Sequence, residues 1–100
     1  MVDWTESAKR DLKKIYDYIA TESPHYARKE VSSIVSRADI LDAFPQMGRM
    51  IPEIMQASAR ELIVPPYRIM YRTTPDGVKI LAVIHSKRDF DETVGVFQTP

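Results

Sequence analysis

Hydrophobic and polar positions change their period part-way along this chain. In the first third, Ala8, Leu12, Ile15, Tyr16 and Ile19 recur at helical spacing, while Lys9, Arg10, Lys13, Lys14 and Asp17 occupy the other side. Such a stripe predicts an amphipathic helix to about Ala20. Thr5 is placed to cap it, because its hydroxyl can accept from an orphan N–H of the first turn. Ser23-Pro24 restarts the chain, with Ser23 as N-cap and Pro24 at the first helical position, where a missing N–H costs nothing. Ala27, Val31, Ile34, Ala38 and Leu41 form a second stripe ending near Ala43. Two helices with so short a link predict an antiparallel hairpin.

From Arg60 onward the period drops to two, and residues 60–90 read as three successive strands. Pro65-Pro66 cannot donate ladder hydrogen bonds, and Thr74-Pro75-Asp76-Gly77 supplies a preset φ at Pro75 and a positive φ at Gly77, so each break should reverse the chain. Pairing Thr73 with Val78 would set Tyr71 opposite Ile80, Ile69 opposite Ala82 and Tyr67 opposite Ile84 on an apolar face. The other face would carry Arg68, Met70 and Arg72 across from Val83, Leu81 and Lys79. That is an apolar floor with cationic heads, suited to an anionic or amphipathic partner.

The remaining segments carry weaker patterns. Met1 to Trp4 alternates and suits a first edge strand. Phe44 to Ser58 holds Pro45, Gly48 and Pro52 without a clean period and reads as a loop, with Phe44, Met50, Ile51 and Ile54 packing under it. Between Asp89 and Pro100, Val94, Val96 and Phe97 suit either a further strand or a tail. The predicted order is strand, helix, helix, strand, strand, strand. It describes one α+β domain over residues 1–100, with the helical hairpin on one face of an antiparallel sheet and the other face open.

Composition removes several classes of function. Lys plus Arg and Asp plus Glu each number 14, so nothing at whole-chain level advertises direct nucleic-acid binding. There is no cysteine, and no apolar run suits a signal peptide or a membrane span, which makes a reducing cytoplasm the expected location. No His/Asp/Glu set has metal-ligand spacing, no glycine-rich loop could cradle a nucleotide and Ser86 lacks a nucleophile elbow, so no cofactor is expected. His85 ends the last long strand, with Asp89 and Asp91 its nearest possible partners for acid–base work; His25 suits a surface position. Glu6 with Arg10 and Lys13 with Asp17 have the spacing of helical ion pairs.

The run Arg60-Glu-Leu, Pro66-Tyr-Arg-Ile-Met-Tyr-Arg72 and the apolar strand ending His85-Ser-Lys-Arg-Asp-Phe90 resembles the RelE/ParE superfamily of type II toxins, its ParE branch in particular. Trp4-Thr5, the Leu12-Lys-Lys-Ile-Tyr-Asp-Tyr-Ile19 helix and Phe44-Pro-Gln-Met-Gly-Arg49 extend the similarity over nearly the whole chain. The ordered set carries the resemblance, since no single piece is diagnostic.

That resemblance implies a toxin of a bacterial toxin–antitoxin pair that inhibits DNA gyrase by binding and arrests replication until its antitoxin neutralises it. It also implies a hetero-oligomer in which the antitoxin's C-terminal segment folds on the toxin. On this expectation Arg68, Met70, Arg72, Leu81 and Val83 contact the antitoxin, and Lys87, Arg88 and Phe90 face the target, as does the helical hairpin. The enzyme alternative is a metal-independent, ribosome-dependent endoribonuclease with Arg68 as phosphate clamp, Arg88 as auxiliary cation and His85 as base. Where RelE-like members carry lysines on the preceding strand this chain has Ala59 and Glu61, and Thr93 and Val94 occupy the stretch of their late base. An anionic Glu61 would repel an RNA phosphate. A third reading is an inactive module that retains only antitoxin binding.

Overall fold

The computed structural model describes residues 1–85 and shows two helices packed on one face of a five-stranded sheet. In chain order the elements are β1 (Val2–Trp4), α1 (Glu6–Ala20), α2 (Pro24–Asp39), a 3-10 turn (Ile40–Asp42), β2 (Arg49–Met50), β3 (Ala59–Val64), β4 (Tyr67–Thr74) and β5 (Gly77–His85). Both helices start at their expected caps. Thr5 Oγ1 accepts from the Ala8 N–H at 3.1 Å, and Ser23 Oγ from the Tyr26 N–H at 3.1 Å. On the exposed side of α1, Lys13 pairs with Asp17 at 2.8 Å, whereas Glu6 takes Lys9 at 3.5 Å. The carboxylate of Asp17 holds the Lys13 ammonium above its ordinary pKa.

The sheet order is β1-β5-β4-β3-β2, with an antiparallel meander of β3, β4 and β5 at its centre. Two features differ from the sequence reading. The first strand pairs parallel to β5, which makes the sheet mixed. The Val78 N–H donates to the Met1 carbonyl at 2.9 Å, and Thr5 gives both its N–H and its hydroxyl to the Ile80 carbonyl. Inside the segment expected to be a loop, Arg49 and Met50 pair with Glu61 and Arg60 as a fifth strand. Two residues are too few to print a period of two on the sequence.

The largest correction concerns register. Thr73 pairs with Val78 and Tyr71 with Ile80 as expected, but Met70 then pairs with Ala82, Ile69 with Val83, Arg68 with Ile84 and Tyr67 with His85. Leu81 is an extra residue, a β-bulge, and beyond it every side chain of β5 changes face. Val83 therefore points to the helices and Ala82 and Ile84 to the opposite side.

The helix-side core joins Ala8, Ile34, Ala38 and Leu41 to Leu62, Val64, Ile69, Tyr71, Val78, Ile80 and Val83. Trp4, Leu12 and Ile15 pack around it. Gly77 closes the last hairpin at φ +140°, where a side chain would also strike the Met1 backbone.

Candidate binding face and its buried charge cluster

The face away from the helices is not open. Residues 49–58 fold back over it as a strap. Ile51 and Ile54 pack on Ala59, Met70, Ala82 and Ile84, with Leu81 at the margin. The strap is tied to the sheet by the Ile51 N–H to the Ala59 carbonyl at 3.1 Å and the Thr73 N–H to the Ser58 carbonyl at 2.9 Å. Gly48, where the strap begins, lies so close to β3 and β4 that a Cβ there would come within 2.5 Å of the Glu61 carbonyl and 2.6 Å of the Tyr71 hydroxyl.

Under the strap lies a four-residue charge cluster. Glu61 and Arg68 project to this face from β3 and β4 and are 1% and 6% exposed. Arg68 Nε donates to Glu61 Oε1 at 2.5 Å, and its Nη2 pairs with the same oxygen. That Nη2 also meets Glu53 of the strap at 3.3 Å, while Arg49 Nε donates to the second oxygen of Glu61 at 2.6 Å. One buried pair, Glu61 and Arg68, thus sits in a layer that is otherwise apolar and is completed from the strap by the partly exposed Arg49 and Glu53. Burying either charge alone would be unfavourable by several kcal/mol, so the pairs are a condition of closing this face.

The five expected antitoxin contacts separate accordingly. Arg68, Met70 and Val83 are buried, Val83 on the helix side because of the bulge. Arg72 and Leu81 keep partial exposure. Arg72 donates through Nη1 to Ser58 Oγ at 2.8 Å and stands opposite Lys79, which is exposed. Of the conceivable ribonuclease set, Arg68 is held by two carboxylates. His85 is half-buried, with its Nδ1 enclosed and unpartnered among the described residues and its ring edge-on to Tyr67 at 6.2 Å. Arg88 lies outside the described residues, as do Lys87 and Phe90, expected to face the target, and Asp89 and Asp91, the expected partners of His85. Among the described residues no three His, Asp or Glu side chains gather as a metal set. No described helix is long and apolar enough to cross a membrane.

On the helix side, Tyr71 holds the start of the strap from behind. Its hydroxyl donates to the Pro45 carbonyl at 2.8 Å and accepts from the Gly48 N–H at 2.9 Å. Burial raises the phenol's pKa above its ordinary value, against smaller opposing effects of the Gly48 N–H and the Arg60 charge. At the far tip of the molecule, Tyr18, Ile19, Thr21, Glu22, Ser23 and Tyr26 line an open depression between the helices, and Tyr18 stands almost wholly in solvent.

The model of the ParE toxin of type II toxin–antitoxin systems matches residues 2–90. The chain belongs to that family. Among curated relatives, toxin RelE2 of Caulobacter vibrioides is 38% identical over 88 residues, covering 87% of this chain and 96% of its own length. The putative toxin Y4kP of Sinorhizobium fredii is 35% identical over 95 residues, 93% of this chain and 95% of its own. Toxin RelE3 of Caulobacter vibrioides is 30% identical over 79 residues, 79% and 86%. A chain of the chromosomal ParDE system of P. aeruginosa superposes with a TM-score of 0.73 at 27% identity, covering 86% of this chain and 95% of that one. The toxin–antitoxin complex RelBE2 of Mycobacterium tuberculosis gives 0.62 at 24% identity over 85% and 95%, a likeness of fold alone. This ParE-family chain is accordingly a toxin of the ParE/RelE superfamily, with the α+β architecture of its relatives.

Three residues of the site carried no assignment in the sequence reading: Arg49, Glu53 and Asp11. Arg49 and Glu53 lie in the segment without a period; Arg49 entered only as the end of the Phe44–Arg49 piece of the resemblance, and nothing in the sequence marked Glu53. Asp11 on α1 accepts the Val83 N–H at 3.0 Å, closing the edge of β5 beyond the end of β1. Its signal was present, since it stands three residues after Ala8 and four before Ile15, inside the apolar stripe.

Proposed function

We propose that this toxin arrests growth by binding DNA gyrase and preventing the resealing of cleaved DNA, and that an antitoxin neutralises it by folding over its surface. The observation that carries this reading is the state of Arg68. The one arginine placed to clamp a scissile phosphate is buried and held by Glu61 and Glu53. A phosphate could take that guanidinium only by displacing both carboxylates and leaving that of Glu61 buried beside it. Transition-state stabilisation needs donors free to meet the charge as it develops. His85 adds no acid–base couple among the described residues, where its Nδ1 has no carboxylate partner.

A binder needs accessible surface instead. The aromatic depression at the tip of the helical hairpin, with Tyr18 and Tyr26, is our candidate target contact among the described residues, beside Lys87, Arg88 and Phe90. For the antitoxin, Arg72 and Leu81 are the accessible members of the five proposed contacts; Arg68, Met70 and Val83 would act from beneath, by shaping the face.

The ribonuclease reading keeps one specific support, the names of relatives RelE2 and RelE3. The test is a cleavage assay with purified toxin, gyrase, ATP and supercoiled plasmid, quenched with detergent and protease. Linear DNA that disappears on addition of antitoxin is the expected result. Its absence, with gyrase fully active, would overturn gyrase as target and turn the question to cleavage of mRNA on the ribosome.

A further inference from the structure

At the turn between α1 and α2, two aromatic rings and a carboxylate line one open depression of about 640 Å³. Tyr18 comes from the last turn of α1, Glu22 from the link and Tyr26 from the first turn of α2, each four residues from the next. The backbone beneath them is tied down. The Ile19 carbonyl accepts from the Glu22 and Ser23 N–H groups at 3.1 and 3.0 Å, and the Thr21 hydroxyl donates to the Tyr18 carbonyl at 2.7 Å. Tyr18 and Tyr26 are 81% and 53% exposed, and among the described residues neither ring packs on another ring or beneath a cation. Their π-faces are open.

The charge at this turn is negative and unanswered. Glu22 is exposed and forms no ion pair among the described residues, although Lys14 and Lys29 lie on the adjoining turns of the two helices. The last turn of α1 holds no basic residue, so the negative end of its dipole also faces the turn. Asp17, nearby, is neutralised by Lys13. The positive end of α2 is answered internally: Ser23 takes the Tyr26 N–H on its hydroxyl and the Ala27 N–H on its carbonyl, and Pro24 has none to offer. These features select among occupants. An acidic group would be repelled by Glu22, and an apolar anchor would strip its water without replacing it. A bare metal ion would need more oxygen ligands than one carboxylate supplies. An organic cation is met by the carboxylate and by the quadrupoles of both rings.

We propose that this depression receives an arginine side chain of the target protein, with the guanidinium over the rings of Tyr18 and Tyr26 and its edge against Glu22. Arginine suits the site better than lysine because its planar head stacks on a ring while its N–H fork pairs with a carboxylate. The proposal rests on the reading of the hairpin tip as a target contact and gives that contact its chemistry.

The test is titration of isotopically labelled toxin with the peptide acetyl-Gly-Arg-Gly-amide, read by backbone amide shifts. The control is the same peptide with citrulline, which keeps the shape and loses the charge. The arginine peptide should shift the Tyr18, Glu22 and Tyr26 amides and saturate in the millimolar range, and the citrulline peptide should not. Glu22→Gln and Tyr18→Leu should each weaken arginine binding about fivefold or more, whereas Tyr18→Phe, which keeps the ring, should bind like the wild type. Against immobilised gyrase, Glu22→Gln should lose affinity about tenfold with an unchanged melting temperature. Equal shifts from both peptides, or none from arginine, would overturn the proposal whether or not gyrase binds. Gyrase binding that is insensitive to Glu22→Gln would overturn it too, while gyrase as target stands. Arginine-specific shifts in a toxin that does not bind gyrase would support the pocket and reject gyrase as the source of the arginine. Shifts of the same amides on raising the toxin concentration alone would assign the pocket to a cation of a second copy and reject the proposal.

Discussion

On the helix side of the sheet, Ile34, Leu41, Ile69, Tyr71 and Ile80 meet in a layer whose polar atoms sit at its margin; on the strap side, Ile51, Met70, Ala82 and Ile84 share their layer with Glu61 and Arg68. Aliphatic burial is non-directional, so the first layer can absorb a small change by local adjustment. The second layer cannot. Its charges are tolerated only as a matched set, and removing one member leaves another buried without an answer. The same pairing that closes the strap takes from Arg68 the freedom a phosphate clamp would need, so stability and function are argued from one set of distances.

The contrast can be broken from either side. The largest effect is expected from Arg68→Ala, which strands the Glu61 carboxylate with only Arg49. Chemical denaturation should show a loss of about 3–5 kcal/mol, a large part of the stability of a domain this size. A loss below about 1 kcal/mol would mean that the strap is not closed by this pair.

Tyr71→Phe comes next. It leaves the Gly48 N–H and the Pro45 carbonyl without their shared partner and should reduce stability by about 1–3 kcal/mol. Its pH dependence has a fixed sign. Burial raises the phenol's pKa in the fold, so the neutral form is favoured there, and this contribution is present below the unfolded value of about 10 and is lost as pH rises through the folded one. Wild-type stability should therefore fall more steeply than that of Tyr71→Phe in alkaline urea titrations. Parallel curves would contradict the assignment.

Ile34→Val, on the dry side, should lower stability by only about 0.5–1.5 kcal/mol in the same titration. The smallest effect should come from replacing the central ion pair as a unit, Glu61→Leu with Arg68→Met. Well-packed apolar residues in place of a buried pair are often neutral or stabilising. A double variant as unstable as Arg68→Ala would show that the remaining charges, Arg49 and Glu53, need the pair in place.

Much of the fold was legible because its signals are local. Thr5 and Ser23 cap where their hydroxyls can reach an orphan N–H, Pro24 stands where its ring is tolerated, and Gly77 supplies a conformation other residues avoid. The bulge at Leu81 was not legible. Val83 and Ile84 are both apolar, so either parity buries a suitable side chain and the sequence leaves the slip open. The strap was hidden for a related reason: a two-residue strand and a turn have no period, and only the tertiary contacts of Ile51 and Glu53 reveal their role. Glu61 was legible as an obstacle to RNA cleavage, but its partner became visible only when β3 and β4 brought it beside Arg68.

Whether Arg68 closes the sheet or acts on a substrate is decided most directly by growth arrest from the Glu61→Leu/Arg68→Met double variant, expressed without antitoxin and assayed in parallel for gyrase-dependent linear DNA. If Arg68 only closes the sheet face, both activities remain at the wild-type level. Loss of both, in a chain with an unchanged melting temperature that still binds antitoxin, would contradict this and make Arg68 part of the toxic machinery itself.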